Sequence, residues 1–170
     1  MPPIHAVRHC IANAFRYSGR APRAEFWWFA AFNLLVALVA LALDGPLPTP
    51  GNPPAGPRWA GFLSSLLLFA PNLAVAVRRL HDIGQTGRWL WLIPTPTLIA
   101  ILYALTTLAF GLEERLGNAA IAIAALVTPL LTLALFVAAA LRGTRGPNAY
   151  GPDPLARGDF GVPSAFRFRP

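Results

Sequence analysis

The charged side chains best placed to do chemistry lie in one short segment, residues 78–82, directly after a long apolar run. On a helix, Asp82 is four residues from Arg78 and three from Arg79, so its carboxylate can pair with either guanidinium. Arginine side chains also bind phosphate groups through paired N–H donors. His81, on the same turn, has the chemistry of a proton carrier or general base. The segment therefore suggests an anion site or a proton-transfer site. The simpler interpretation makes the two arginines topology anchors, Asp82 their partner and His81 an interfacial residue.

Two further polar segments carry side chains that would complete such a site. The first, residues 19–29, contains the candidates Arg20, Arg23 and Glu25. The second, residues 148–154, contains the candidates Asn148, Tyr150 and Asp153. Arginines outnumber carboxylates in the first segment and in residues 78–82, so we expect Asp153 to supply a further acceptor, in particular to Arg79. The three segments would then form one surface; the alternative is a C-terminal tail that does not dock.

The N-terminal segment, residues 1–25, has apolar side chains at helical spacing: Ile4, Val7, Ile11 and Phe15. This pattern is typical of a short helix that lies on a membrane surface. His5, His9 and Cys10 lie on the same turns, but two ligands four residues apart with an adjacent thiol are weak evidence for a metal site. We expect an interfacial helix with no metal and no cofactor. The single cysteine excludes an internal disulfide.

The elements that must position these side chains are four apolar runs, in a chain with 55% hydrophobic and only 12% charged residues. Each run is close to the ~20 residues that a helix needs to cross a bilayer and contains no ionisable side chain. The runs are Phe26–Leu43, Trp59–Val77, Trp89–Phe110 and Ala119–Leu141. We therefore predict an all-α integral membrane protein with four transmembrane helices, a short N-terminal interfacial helix and an irregular C-terminal tail. The predicted parts are a cytoplasmic segment 1–25, a transmembrane domain 26–141 and a cytoplasmic tail 142–170.

The distribution of arginine predicts the orientation of these helices. All 14 basic residues are arginine, and only Arg58 and Arg115 lie in the first and third loops. The others lie in the N-terminal segment, the central loop or the tail. Positive charge accumulates on the cytoplasmic side of inner-membrane proteins, so both termini should be cytoplasmic. Because these arginines flank apolar runs, we expect anionic lipid headgroups rather than nucleic acid as their partners.

Three motifs, in this order and spacing, resemble the domain-of-unknown-function 805 family of small bacterial inner-membrane proteins. They are GRAPRAEFWWF at 19–29, PNLAVAVRRLHDIGQTG at 71–87 and NAYGPDP at 148–154. The family's usual Gly-Arg-Ser-Gly-Trp-Trp is replaced by Gly-Gln-Thr-Gly-Arg-Trp at 84–89, which moves the basic residue from position 85 to Arg88. The resemblance implies an integral inner-membrane protein and supplies no catalytic residues.

No nucleophile elbow, phosphate-binding loop, zinc signature or pair of carboxylates within the apolar runs indicates an enzyme. The absence of ionisable residues from the runs also argues against ion-coupled transport. We therefore expect a non-enzymatic, multi-pass inner-membrane protein whose cytoplasmic face binds a partner protein, a second copy of the chain or anionic lipid. A small transporter or channel component is the alternative. A lipid-headgroup enzyme that uses Arg79, His81 and Asp82 is a third possibility.

Overall fold

The computed structural model describes residues 1–45, 56, 58–110 and 114–155. Within these residues the fold is entirely helical. The helices are α1 (Pro3–Ala12), α2 (Arg23–Asp44), α3 (Trp59–Asp82), a 3₁₀ helix (Gly87–Leu92), α4 (Thr95–Phe110) and α5 (Glu114–Ala140). Outside the described residues lie most of the proline-rich first loop, residues 111–113 and residues 156–170 with their Phe and Arg side chains.

Helix α2 and helix α3 are joined by hydrogen bonds where α2 ends and α3 begins. Helix α2 ends at Asp44, and Gly45 follows with a φ of 78°, a left-handed conformation that glycine adopts without strain. The Asp44 carboxylate accepts the N–H groups of Ala60 (2.8 Å) and Gly61 (2.7 Å) in the first turn of α3. These donors have no partner within the helix, so Asp44 caps α3 from the neighbouring helix.

Asn33 and Asn72 provide a polar contact between α2 and α3 in the middle of their apolar surfaces. Asn72 donates to the side-chain oxygen of Asn33 at 2.8 Å, and Asn33 donates to the carbonyl of Phe29 at 2.7 Å. Asn33 therefore joins α2 to α3 through a side-chain hydrogen bond, as polar residues in apolar helices commonly do. Helix α3 continues through Pro71, which is buried.

The third apolar run differs from a single continuous helix. It begins as the 3₁₀ helix Gly87–Leu92, passes through Ile93 and Pro94, and continues as α4 from Thr95. Pro94 lacks an N–H donor and cannot complete a regular helical hydrogen bond at this position, which accounts for the irregular start of the run. Among the described residues, three helices are long and apolar enough to cross a membrane: Arg23–Asp44, Trp59–Asp82 and the Ile121–Ala140 part of α5.

The buried core lies at one end of these helices, which we call the charged end. Here the start of α2, the end of α3 and the end of α5 meet under α1. Its apolar members include Cys10, Phe26, Phe29, Val75, Leu80 and Ala139. Away from this end the large apolar side chains are exposed, as Leu43 (75%) and Leu67 (76%) illustrate. Such exposure is the arrangement expected for helices whose surroundings are lipid.

Candidate functional site

Five charged side chains from three parts of the chain are buried together at the charged end. We call them the arginine–carboxylate cluster: Arg20, Glu25, Arg78, Arg79 and Asp82. Each side chain in the cluster is at most 5% exposed. Removing ions from water costs several kcal/mol each unless they are paired and hydrogen-bonded. The partners of these five groups therefore determine how the segments of the protein fit together.

Asp82 is the acceptor for two arginines. Its Oδ1 accepts from Arg20 Nε at 2.9 Å, and its Oδ2 accepts from Arg79 Nη1 one helical turn earlier. The predicted pairing of Asp82 with a neighbouring arginine is thus realised by Arg79. Arg20 brings in the N-terminal segment, which the spacing within residues 78–82 could not predict.

Arg78 turns to a different carboxylate, that of Glu25 in the first turn of α2. Arg78 Nη1 lies 2.9 Å from Glu25 Oε1, and both side chains are buried. Successive residues on a helix project about 100° apart, so Arg78 and Arg79 face different neighbours. The two arginines therefore do not compete for Asp82.

Glu25 Oε1 also contacts two side chains of α1. His9 Nδ1 lies 2.9 Å from this oxygen, and the Cys10 thiol donates to it across 3.5 Å. Burial, together with the adjacent Glu25 carboxylate, raises the pKa of Cys10 well above its usual range. The thiol is therefore protonated and unreactive in the folded protein.

Arg79 and Arg23 bind the last carbonyl groups of α5. Arg79 donates to the carbonyls of Ala139 (3.0 Å) and Leu141, and Arg23 donates to that of Leu141 at 2.8 Å. Helix C-termini leave carbonyls without partners and carry a partial negative charge, so cations are favoured there. Arg79 also donates to the carbonyl of Ala21 at 3.3 Å and so joins α3 to α5 and to the N-terminal segment.

Residues 144–151 bind the end of α3 in a comparable way. Thr144 donates its N–H (2.9 Å) and hydroxyl (3.1 Å) to the carbonyl of Asp82, and Asn148 donates to the carbonyl of His81 at 2.9 Å. These contacts supply partners for terminal carbonyls of α3. The prediction that the three polar segments form one surface is confirmed for the described part of the tail.

His81 stacks against the tail rather than facing a carboxylate. Its ring is parallel to that of Tyr150, with centroids 4.0 Å apart and an angle of 3° between the planes. His81 Nδ1 lies 3.2 Å from the carbonyl of Gly19. The side chain thus holds the tail and the N-terminal segment against α3.

Arg20 is the residue that joins most of these segments. Besides Asp82, it donates to the carbonyls of Gly146 (2.6 Å), Thr144 (2.5 Å) and Gly151 (3.5 Å). A planar guanidinium spreads five N–H donors over three nitrogens and reaches these four acceptors, whereas a lysine has three donors on a single nitrogen. Arg20 therefore fixes residues 144–151 against the end of α3.

Asp153 has a different role from the one predicted. Its carboxylate accepts the N–H groups of Gly146 (3.0 Å) and Leu155 (2.8 Å) and so orders the tail itself. Within the described residues, the side-chain partner of Arg79 is Asp82, and a direct Arg79–Asp153 contact is not present. The reason is that Arg79 already has an acceptor for each of its donor groups.

His9 and Cys10, which the sequence offered only as weak candidate metal ligands, contact Glu25. Thr144, which binds Asp82, and Gly143 were not singled out from the sequence. Gly143 allows the tail to pass so close to Asp82 that a Cβ atom would clash with its carboxylate. The sequence indicated this contact only through the glycine at 143, because glycine is often found where the backbone closely approaches another group.

A cavity of about 690 Å³ opens beside the cluster, between α1, residues 16–22 and residues 152–154. Its charged lining comprises Arg8, Arg16, Arg20, Arg78, Glu25 and Asp153, together with His5 and His9. Within the described residues, no group of three or more His, Cys, Asp or Glu side chains is arranged to hold a metal ion. The chemistry that this lining offers is the binding of an anion.

Comparison with known proteins agrees with this architecture. Residues 14–152 match the family described as "Protein of unknown function (DUF805)". The chain belongs to this family. It is 32% identical to the inner membrane protein YhaI of Escherichia coli K12 over 114 residues, which cover 64% of this chain and 88% of YhaI. It is 37% identical to the inner membrane protein YhaH of the same strain over 89 residues, 49% of this chain and 69% of YhaH.

A further relative covers more of the chain. The uncharacterized protein YiiR of Escherichia coli K12 is 32% identical over 145 residues, which are 82% of this chain and 86% of YiiR. No solved structure matches the chain. The three polar segments that form the site lie within the matched residues 14–152, apart from the last two residues of the third segment.

Proposed function

We propose that this DUF805 protein is a non-enzymatic inner-membrane protein that binds anionic lipid headgroups through its cytoplasmic face. In this proposal, α2, α3, α5 and the third apolar run, comprising the 3₁₀ helix and α4, cross the membrane. Both termini are cytoplasmic, and the charged end lies at the cytoplasmic surface. The inner-membrane relatives and the asymmetric distribution of arginine support this orientation.

The observation that carries the proposal is the excess of exposed arginines at the charged end. The buried carboxylates of Glu25 and Asp82 are occupied by cluster arginines and by α1. Around them, exposed arginines extend into the surroundings: Arg8, Arg16, Arg23, Arg88, Arg142 and Arg145. Basic side chains next to an apolar span attract anionic lipids by about 1 kcal/mol each.

The contacts of the candidate catalytic side chains favour binding over catalysis. A general base needs a free acceptor atom directed at its substrate. The carboxylate of Asp82 accepts from two arginines, and His81 stacks on Tyr150 with its Nδ1 beside the carbonyl of Gly19. These roles are those of residues that hold segments together, which supports the non-enzymatic proposal.

Measurement of lipid preference tests the proposal. The protein is purified in a mild nonionic detergent, and the binding of phosphatidylglycerol and phosphatidylcholine is measured by native mass spectrometry. We expect phosphatidylglycerol to be preferred. The variant Arg142→Gln/Arg145→Gln should reduce the preference about tenfold or more, because each arginine contributes about 1 kcal/mol.

The matched control is Arg58→Gln, which removes one arginine at the opposite end of α3. We expect it to leave the preference unchanged. Equal binding of the two lipids, or an equal loss with Arg58→Gln, would contradict the proposal. A protein that co-purifies in fixed stoichiometry would instead favour a role in protein assembly, and a second copy of the chain would appear as a dimer mass.

Reporter fusions test the orientation. A periplasm-active reporter fused after Asn52 should be active, and the same reporter fused after the C-terminus should be inactive. Activity at the C-terminus would overturn the assignment of the charged end to the cytoplasm.

A further inference from the structure

Arg78, which lines the cavity beside the cluster, has a buried donor without a hydrogen-bond partner in the described part of the chain. Arg78 is 2% exposed, and its Nη1 and Nε contact Glu25 and the carbonyl of Ala74. Its Nη2 has no hydrogen-bond partner among the described residues. Leaving a buried N–H group of a charged side chain without a partner is more costly than leaving a neutral one, so such groups are rare.

The surroundings of Arg78 indicate what kind of ligand would supply an acceptor for its Nη2. The cavity is lined by four arginines and two carboxylates, Glu25 and Asp153. With neutral histidines, the lining therefore carries an excess of positive charge. Its volume of about 690 Å³ lies within the usual range of about 300–1,000 Å³ for small-molecule sites.

The four arginines of the cavity lining fall into a buried pair and an exposed pair, an arrangement that suits the binding of one anion between them. Arg78 and Arg20 are held rigidly by carboxylates at the base of the cavity, whereas Arg8 and Arg16 are exposed at its rim. A fixed guanidinium orients a tetrahedral oxyanion through charge-assisted hydrogen bonds. Exposed rim arginines add electrostatic attraction for an anion.

We infer that this cavity is a phosphoryl-group site in which Arg78 Nη2 is the buried donor and Arg8 and Arg16 bind from the rim. The inference rests on the proposed function and deepens it, because it assigns one defined site within a basic face. The phosphoryl group is that of a lipid headgroup or of free phosphate, and the two sources are separable by experiment.

The experiment uses the full-length protein in nonionic detergent with two probes. One arm titrates inorganic phosphate, and the other titrates phosphatidic acid against a background of phosphatidylcholine. Binding of phosphatidic acid alone identifies a lipid headgroup, and binding of phosphate alone identifies the free ion. If both bind, the phosphoryl group itself is sufficient. Binding of neither probe to the unmodified protein overturns the inference.

Arg78→Lys keeps the charge opposite Glu25 but removes the planar set of donors. We expect the dissociation constant of whichever probe binds to rise about tenfold, because one charge-assisted hydrogen bond is lost. Because a buried substitution can impair folding, Arg8→Gln/Arg16→Gln provides a second variant at exposed positions, with an expected loss of similar size. The matched control is Arg58→Gln, which removes an arginine at the opposite end of α3 that does not line the cavity.

The outcomes separate the inference from the proposed function. Selective loss in the Arg78 and rim variants supports the site. Unchanged probe binding in Arg8→Gln/Arg16→Gln, or an equal loss in Arg58→Gln, overturns it. If the preference for phosphatidylglycerol persists in that case, the basic face still binds lipid through diffuse charge. If that preference is absent as well, the proposed function fails with the inference.

Discussion

Gly143 allows a direct test of how tightly the tail packs against the cluster. A Cβ atom at residue 143 would lie 2.7 Å from Asp82 Cγ and closer still to Oδ2. Non-bonded carbon atoms prefer a separation of about 3.5–4.0 Å, so Gly143→Ala forces the tail or the carboxylate to move by roughly 1 Å. The carboxylate cannot move freely, because Arg20 and Arg79 hold its two oxygens.

The expected loss of stability follows from two opposing effects. Breaking a buried ion pair completely costs about 3–5 kcal/mol, and a displacement that weakens it should cost about half of that. Replacing glycine by alanine where the backbone conformation permits it stabilises a protein by about 0.4–1 kcal/mol through the unfolded state. The steric effect is the larger, so we expect a net destabilisation of about 1–2 kcal/mol.

The buried thiol of Cys10 provides the assay. A thiol-reactive fluorophore labels this single cysteine only when the protein opens, because the side chain is fully buried in the folded state. At about 2–4 °C per kcal/mol for a chain of this size, Gly143→Ala should lower the labelling midpoint by several degrees. The control Gly56→Ala places its Cβ in open space and should leave the midpoint unchanged or slightly higher.

A double-mutant cycle identifies the cause of the loss. Asp82→Ala removes the carboxylate with which the new methyl group collides, so Gly143→Ala should have little further effect in that background. The same decrease in both backgrounds would refute the steric explanation, since the collision with Asp82 would then not be its source.

Three further predictions concern other contacts. Asp44→Ala should destabilise the protein by about 1–2 kcal/mol in the same thermal assay, because two N–H groups at the start of α3 lose their cap, and Asp44→Asn should lose less. In a double-mutant cycle on stability, Arg79→Ala and Asp82→Ala should couple by more than about 1 kcal/mol, whereas the effects of Arg79→Ala and Asp153→Ala should add. Coupling of Arg79 to Asp153 and additivity with Asp82 would contradict the observed pairing. Because the pKa of Cys10 is raised by folding, its contribution to stability is complete below the unfolded pKa of about 8.5 and declines as the pH rises above that value. The free energy of unfolding is measured with urea or detergent at pH 7 and pH 9.5. It should decrease more between these pH values for the unmodified protein than for the control Cys10→Ser.

The sequence was sufficient to predict the helices and the end of the molecule at which charge accumulates. Crossing a membrane depends on a local property, about 20 residues without charge, so α2, α3 and α5 are evident from their own residues. The irregular start of the third run was also predictable, because Pro94 and Pro96 act on the backbone nearest to them. The division of that run into a 3₁₀ helix and α4 depends on where a helix can resume, which proline spacing alone does not determine.

The choice of partners within the cluster was decided only by the tertiary structure. Helical spacing allows Asp82 to pair with Arg78 or with Arg79, and both pairings are locally acceptable. The packing of α2 against α3 places Glu25 beside Arg78, and these two residues pair. Asp82 is then paired with Arg79 and Arg20. A buried charge must find its counter-charge wherever the fold brings one, and that distance in space is unrelated to distance along the chain.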